Sequence, residues 1–375
     1  MNHFVFVAVA LSLASGRLAA APPPGPRTFD GKHPIQRIHV TAVYFLPRGR
    51  RPLPDWQARV TYYARRLEAF HARESGGRSV LRVSVEPAPL QVALTPEQLR
   101  QNDDQNGIFW RTYEAAKKTL AWPRRGGADK DAFPILLVLS DINWRELDDF
   151  SRTRIVNGVP THEGNVDKSG RHFPGAESGG ARAVYFANEG FGYGLVSADG
   201  WRVPYSGSDC VVYHEGIGHA IGLPHPEPGD DSVMGTAQYR YWLNQSWLNA
   251  AQKQRLGFPD TAGARTPNDL FSAFTALPDP IAPVPGQPFV LRFTWPPNAA
   301  PVKNLVVETQ TDLFGPWKAC PVALTKLPPA TIAFAFSRPT PVSYRVRVTL
   351  ADSQTAELWG YFQVRAAAAT DNEGN

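Results

Sequence analysis

The chain has 375 residues, a formal net charge of +5, 43% hydrophobic and 19% charged residues, which is a globular composition with room for two ordinary domains. Its basic residues fall in short clusters (RGRR at 48–51, RR at 65–66 and RR at 124–125), so no long basic run marks a nucleic-acid partner. With only two cysteines, Cys210 and Cys320, stability rests on packed cores; the two fall in different predicted domains, and an inter-domain bridge or two buried thiols both stay open.

The amino terminus opens with an apolar run, Phe4–Leu13, followed by small residues and then prolines. Residues 1–20 therefore read as a secretory signal peptide, cleaved near Gly16 or Ala20, which places the protein outside the cytoplasm. The run is too short to span a membrane, and no other stretch is long enough. Residues 21–35 are an extended lead-in.

From 36 to 258 strands and helices alternate. IHVTAVYFL (38–46) is strand-like, and Asp55 is the N-cap of a helix with Trp56, Val60, Tyr63, Leu67 and Phe70 on one face, ended by Gly76-Gly77. VLRVSV (80–85) alternates as a half-buried strand. Gly107–Ala121 is a second amphipathic helix, and FPILLVL (133–139) has the continuous apolar character of a central strand. Residues 141–181 read as a long irregular insert, RAVYFA (182–187) as another strand, and Ser246–Leu256 as a closing helix. The order predicts an α/β domain with a mainly parallel sheet. Residues 259–286 read as a Pro-rich linker. From 287 to 366, Phe289, Leu291, Phe293 and Trp295 share one strand face, as do Ile332, Phe334 and Phe336, and Tyr344, Val346, Val348 and Leu350, with Arg345 and Arg347 pointing outward. That pattern predicts an antiparallel β-sandwich of the immunoglobulin or fibronectin kind, followed by a disordered tail, 367–375.

The chemistry concentrates in HEGIGHAIGLPH, residues 214–225, where three of the chain's nine histidines stand beside a glutamate. Three imidazoles are enough protein ligands for a catalytic zinc, which keeps a further position for water. His219, Gly222 and His225 stand at H-x-x-G-x-x-H spacing, and SVMG follows with Met234, the only methionine besides Met1. Gly222 suits a left-handed turn that brings His225 back toward His219.

These residues resemble the metzincin zinc metalloproteases, whose signature is H-E-x-x-H-x-x-G-x-x-H followed by a methionine turn. The resemblance extends over roughly 36–257 and implies a zincin-like domain, Zn2+ held by His214, His219 and His225, Glu215 as general base, and Met234 in the turn beneath the metal. In that family a tyrosine stands two residues after the methionine; here that position is Thr236. This leaves Tyr239 as the candidate for oxyanion or substrate contact, with aromatic packing the alternative for it and for Tyr241. The first half of the motif departs from the family, since three residues rather than two separate Glu215 from His219. Residues five apart on an α-helix differ by about 140° in direction, so two such histidines reach one metal only if a π-bulge absorbs the extra residue. Gly216 and Gly218 make the backbone compliant. A lost hydrogen bond costs about 1 kcal/mol, whereas a structural zinc contributes about 10 kcal/mol or more. The dipeptidyl peptidase III family carries an H-E-x-x-x-H motif of the same spacing.

Three readings of the site follow: a bulged three-histidine zinc site with Glu215 as base; a site in which Glu215, four residues before His219, is itself a ligand; and a degenerate site. The first makes the protein a secreted zinc-dependent endopeptidase acting on protein or peptide, with 182–187 as the edge strand against which an extended substrate pairs. The C-terminal domain then contacts a surface or glycan, or positions the protease. The alternatives are a non-catalytic adhesion or recognition protein and a zinc amidase acting on cell-wall peptides. Asp230 and Asp231 read as a solvated turn rather than a calcium site, Cys210 as a core residue, and His162 and His172 as surface histidines.

Overall fold

The structure, a computed structural model, describes residues 25–101, 105–122, 131–144, 151–156, 159–164, 180–239, 241–260, 269–321 and 331–364, with the backbone alone at 105, 151–156, 159–164 and 238–239. The expected signal peptide and carboxy-terminal tail lie outside the described residues. Among the described residues no helix is long and apolar enough to cross a membrane.

The first unit is α/β. Strand β1 (Arg37–Leu46) leads into helix α1 (Trp56–Ser75). Strands β2 (Val80–Val85) and β3 (Leu90–Gln91) follow, then helices α2 (Pro96–Leu99) and α3 (Gln105–Leu120) and strand β4 (Phe133–Ser140). β1 and β4 are buried along nearly their whole length, which is why both read as apolar runs rather than as an alternation. α1 ends because Gly76 adopts a left-handed conformation at φ 57°, the usual C-terminal stop.

Within the stretch expected to be irregular, β5 (Ser151–Val156) and β6 (Val159–Gly164) form an antiparallel hairpin. This corrects the sequence reading: short polar strands carry no apolar alternation to announce them. β7 (Ala181–Phe186) and β8 (Phe191–Val196) complete the main sheet, whose order is β2-β1-β4-β8-β7 with β3 also paired to β1. The pairings among β1, β2, β3, β4 and β8 are parallel, and β7 runs antiparallel to β8 at the edge. β8 escapes sequence reading because FGYGLV holds two glycines, and the structure gives them a purpose. A Cβ at Gly194 would stand 2.7 Å from the Glu215 carbonyl oxygen, and one at Gly192 would strike Ala220. The two glycines let the motif helix lie directly on the sheet. α3 covers the opposite face, where Phe109, Tyr113 and Tyr193 pack together.

Short helices α4 (Ala198–Trp201) and α5 (Ser208–Tyr213) lead into the motif, and α6 (Ala250–Leu256) follows it. The closing helix starts four residues later than expected because Asn249 caps it, accepting from the Gln252 amide.

The second unit is all antiparallel. Helix α7 (Leu270–Ala273) precedes strands β9 (Thr275–Asp279), β10 (Phe289–Thr294), β11 (Val302–Gln310), β12 (Lys318–Cys320), β13 (Thr331–Phe334), β14 (Thr340–Leu350) and β15 (Thr355–Val364). They form sheets β13-β10-β9 and β12-β11-β14-β15. Phe289, Leu291 and Phe293 meet Val346, Val348 and Phe362 in one core. Part of the expected linker is thus structured: α7 and β9 lie within 259–286, and β9 pairs with β10. Its prolines misled the reading because β9 is a sheet-edge strand, where proline is tolerated. Arg345 does not simply point to solvent; it bonds Glu308 at 2.7 Å and lies 4.4 Å from the Trp317 ring centre.

The two units are joined by packed and hydrogen-bonded contacts. Trp359 of β15 is buried in the core of the first unit and stacks on Tyr62 of α1 at 5.5 Å. The Trp317 indole donates to Asp55 at 2.7 Å, and the Trp242 indole to the Trp359 carbonyl at 3.0 Å. Three buried or largely buried arginines spaced seven apart on α1 extend this seam. Arg59 donates to the Arg202 carbonyl and to Gln310, Arg66 to Asp209 and Asn244, and Arg73 to the carbonyls of Asn244 and Ser246. Cys210 and Cys320 are free thiols.

Candidate metal centre

The motif occupies three successive helical forms. α5 is α-helical to Tyr213, His214–Gly218 is a π-helical turn, and His219–Ile221 is a 3-10 turn that Gly222 ends at φ 88°. The π turn accommodates the extra residue. The His219 amide donates to the His214 carbonyl, five residues back, so these side chains share a face as residues four apart do on an α-helix. Gly216 and Gly218 sit in this turn for space as well as compliance. A Cβ at Gly216 would meet Leu137 at 2.9 Å, and one at Gly218 would strike the Met234 sulfur.

Gly222 reverses the chain as its residue type requires: its amide donates to the His219 carbonyl at 3.0 Å, and the Leu223 amide donates to the Gly218 carbonyl at 3.0 Å. His225 is thereby returned to the other two histidines. The Nε2 atoms of His214 and His219 are 2.9 Å apart, those of His219 and His225 2.9 Å, and those of His214 and His225 3.3 Å. Three nitrogens on a tetrahedral shell of about 2.0–2.1 Å radius stand about 3.3 Å apart, so the spacing is close to that of a zinc site.

The tautomers suit the same purpose. His214 Nδ1–H donates to the Val233 carbonyl at 2.9 Å, and His219 Nδ1–H to the Leu223 carbonyl at 2.6 Å. Each bond leaves an Nε2 lone pair aimed at the common point. Burial, with a smaller contribution from the neighbouring His219, lowers the His214 pKa to about 3, against the hydrogen bond to Val233. Burial lowers His219 as well. Neutral imidazoles are the form that ligates a metal.

Glu215 is half-buried and is not one of the grouped ligands, which are His214, His219 and His225. The geometry therefore does not reproduce the alternative in which Glu215 replaces His214. Desolvation raises its pKa to about 8, opposed by the charge of Arg182.

Met234 is fully buried in the turn after the motif. The turn is held by the Val233 amide donating to the Trp247 carbonyl at 2.8 Å and by Asp230, which accepts from the Ser232 amide at 2.8 Å and from Asn249 at 3.1 Å. Asp231 accepts from Thr236 at 2.7 Å, so these two aspartates serve the turn. Tyr239 ends a 3-10 turn, Thr236–Tyr239, and its side chain lies outside the described residues. Tyr241 offers its carbonyl to the Cys210 thiol at 3.2 Å, which keeps that thiol in the core and out of the ligand group. His162 lies on β6, described by backbone alone, and His172 lies outside the described residues. Sequence reasoning missed the carbonyls of Val233 and Leu223, which no residue type announces, and the paired glycines of β8, whose G-x-G spacing was a usable signal.

The α/β unit thus presents a three-histidine centre able to bind a metal, with a carboxylate directly after the first ligand. No family model matches the sequence, and no curated protein matches it. The solved structures similar to the chain include two of OgpA. Wild-type OgpA from Akkermansia muciniphila is 12% identical, with 96% of this chain and 99% of that chain covered and a TM-score of 0.30. Catalytically inactive OgpA from the same organism, in complex with an O-glycopeptide (glycodrosocin) substrate, is 11% identical, with 95% and 100% covered and a TM-score of 0.26.

Proposed function

We propose that the chain is a secreted zinc-dependent endopeptidase built on a zincin-like domain with a carboxy-terminal immunoglobulin-like sandwich. The observation that carries this reading is the convergence of three imidazole Nε2 atoms on one point, with Glu215 next to the first of them on the same helical run. His214, His219 and His225 would hold the ion. Bound zinc would polarise the scissile carbonyl and acidify a water. Glu215 would take a proton from the attacking water and deliver it to the leaving amine. β7 is the sheet edge beside β8, and an extended peptide would pair with it as a further strand.

Zinc analysis with a peptide-library cleavage assay, on wild type and Glu215→Ala, tests the reading. One zinc in each and cleavage by wild type alone is the expected result. A wild-type protein that takes up no zinc and cleaves nothing overturns it.

A further inference from the structure

The proposed chemistry makes no use of residues 25–36, yet this stretch lies against the metal-binding turn. The Phe29 amide donates to the carbonyl of Ile221, the residue before Gly222, at 3.0 Å, and the Arg27 amide to the Leu256 carbonyl at the end of α6 at 3.1 Å. Thr28 and His33 close a small turn: the Thr28 amide donates to the His33 carbonyl at 2.8 Å, and the His33 amide to Thr28 Oγ1 at 3.1 Å. On its other flank His33 Nε2 donates to the Ala187 carbonyl, just beyond β7, at 2.8 Å. The segment is a strap between the metal turn and the end of the edge strand.

Tyr185 is where the two flanks meet. In register it stands opposite Gly192, as Ala183 stands opposite Gly194, so it is on the sheet face that carries the motif helix. A Cβ at Gly222 would come within 2.9 Å of Tyr185 Cδ1, so the ring lies directly against the turn that returns His225. The Tyr185 hydroxyl donates to Asp30 Oδ1 at 3.0 Å and lies 3.1 Å from Thr28 Oγ1, whose own hydroxyl donates to Asp30 at 2.7 Å. The latch works through a side chain, so it fixes β7 without occupying the outer backbone groups that an added strand would need.

We propose that Tyr185, latched by Thr28 and Asp30, is a positioning residue that sets the spacing between β7 and the metal turn and thereby the affinity for an extended peptide. This rests on the endopeptidase reading above. A peptide paired with β7 reaches the metal only when strand and turn keep a fixed separation. Loosening the latch weakens substrate binding and leaves the ligands and Glu215 in place.

The test is steady-state cleavage by full-length, zinc-loaded protein, with zinc content measured alongside, for Tyr185→Phe, Asp30→Asn and, as the conservative control, Thr28→Ser. Tyr185→Phe and Asp30→Asn are expected to raise KM about five- to tenfold, the scale of one lost hydrogen bond, with kcat within about twofold and zinc unchanged. Thr28→Ser keeps the hydroxyl and behaves as wild type. A merely structural role would lower the active fraction, and so kcat, without moving KM. Unchanged KM in both variants, or zinc lost in step with kcat, overturns the positioning role while leaving the peptidase reading intact. Zinc-loaded wild type that cleaves no peptide overturns both.

Discussion

The amide of His219 donates to the carbonyl of His214 across a π turn, and the Nε2 atoms of the same two residues stand 2.9 Å apart. One backbone bond therefore sets the ligand geometry, and the surroundings are built for the longer spacing. Gly194 faces the Glu215 carbonyl, Gly216 faces Leu137, and Gly218 faces Met234. Deleting Ile217 would restore the commoner four-residue spacing and shift every one of these contacts. The expected outcome is loss of zinc binding, measured by metal content after dialysis. A shortened protein that keeps its zinc would show that the surroundings tolerate either helix.

Gly194→Ala isolates the sheet side of this fit. Its Cβ would meet backbone at 2.7 Å, and backbone cannot swing aside as a side chain does. A cost of about 1–3 kcal/mol in unfolding free energy is expected, with weaker zinc affinity, read from denaturant curves and a metal-competition titration. Wild-type values for both would show that helix and sheet separate easily.

Metal binding should stabilise the fold by an increment that grows with the logarithm of free zinc over its Kd. Zinc at about a thousand times its Kd adds about 4 kcal/mol to the native state. Thermal or chemical melts with and without zinc should show this increment in wild type and not in His219→Ala. An equal increment in both would place the metal elsewhere.

Arg66 and Asp209 form a buried pair at 2.9 Å, and Asp209 also accepts from the Leu243 amide at 3.0 Å at the start of α5. Truncating one partner of such a pair strands a buried charge, so Arg66→Met is expected to cost about 3–5 kcal/mol. Trp359 belongs to the β-sandwich strand β15 yet lies in the core of the first unit, so Trp359→Ala should cost a similar amount, about 3–5 kcal/mol. Because Trp359 packs across the two units, wild type should unfold in one cooperative transition by both fluorescence and circular dichroism. Two separated transitions would mean that the seam contributes little.

His71 predicts a pH dependence. Ser79 Oγ donates to the Ile35 carbonyl, so His71 Nε2–H donates to Ser79 at 2.7 Å and the proton-free Nδ1 is buried without a partner among the described residues. Burial lowers the pKa from 6.5 to about 3. The unfolded chain thus binds a proton between these values that the native state does not, and stability falls as pH drops from 6.5 toward 3. The slope approaches about 1.4 kcal/mol per pH unit for this one group. His71→Gln should flatten the acid limb of stability against pH by that amount. Parallel profiles would show that His71 protonates in the native state.

The sequence by itself determined the α/β order of the first unit, the strand-rich second unit, and the presence of three histidines, a glutamate, a left-handed glycine and a buried methionine in one neighbourhood. These are properties of local pattern: apolar periodicity for β1, α1 and β4, and residue type for Gly222 and Met234. It also posed the question of the extra residue between Glu215 and His219, because helical geometry makes that spacing inconsistent with a plain α-helix. Tertiary structure decided the rest. Whether HEGIG is a π turn depends on what presses on it, namely Gly194, Leu137 and Met234, which lie 16 to 79 residues along the chain from the part of HEGIG that each one meets. β8 was hidden because its glycines answer to the helix above them rather than to strand propensity. The carbonyls of Val233 and Leu223 that orient the imidazoles carry no signature at all, since every residue has one. Position relative to a partner, rather than residue identity, makes them part of the site.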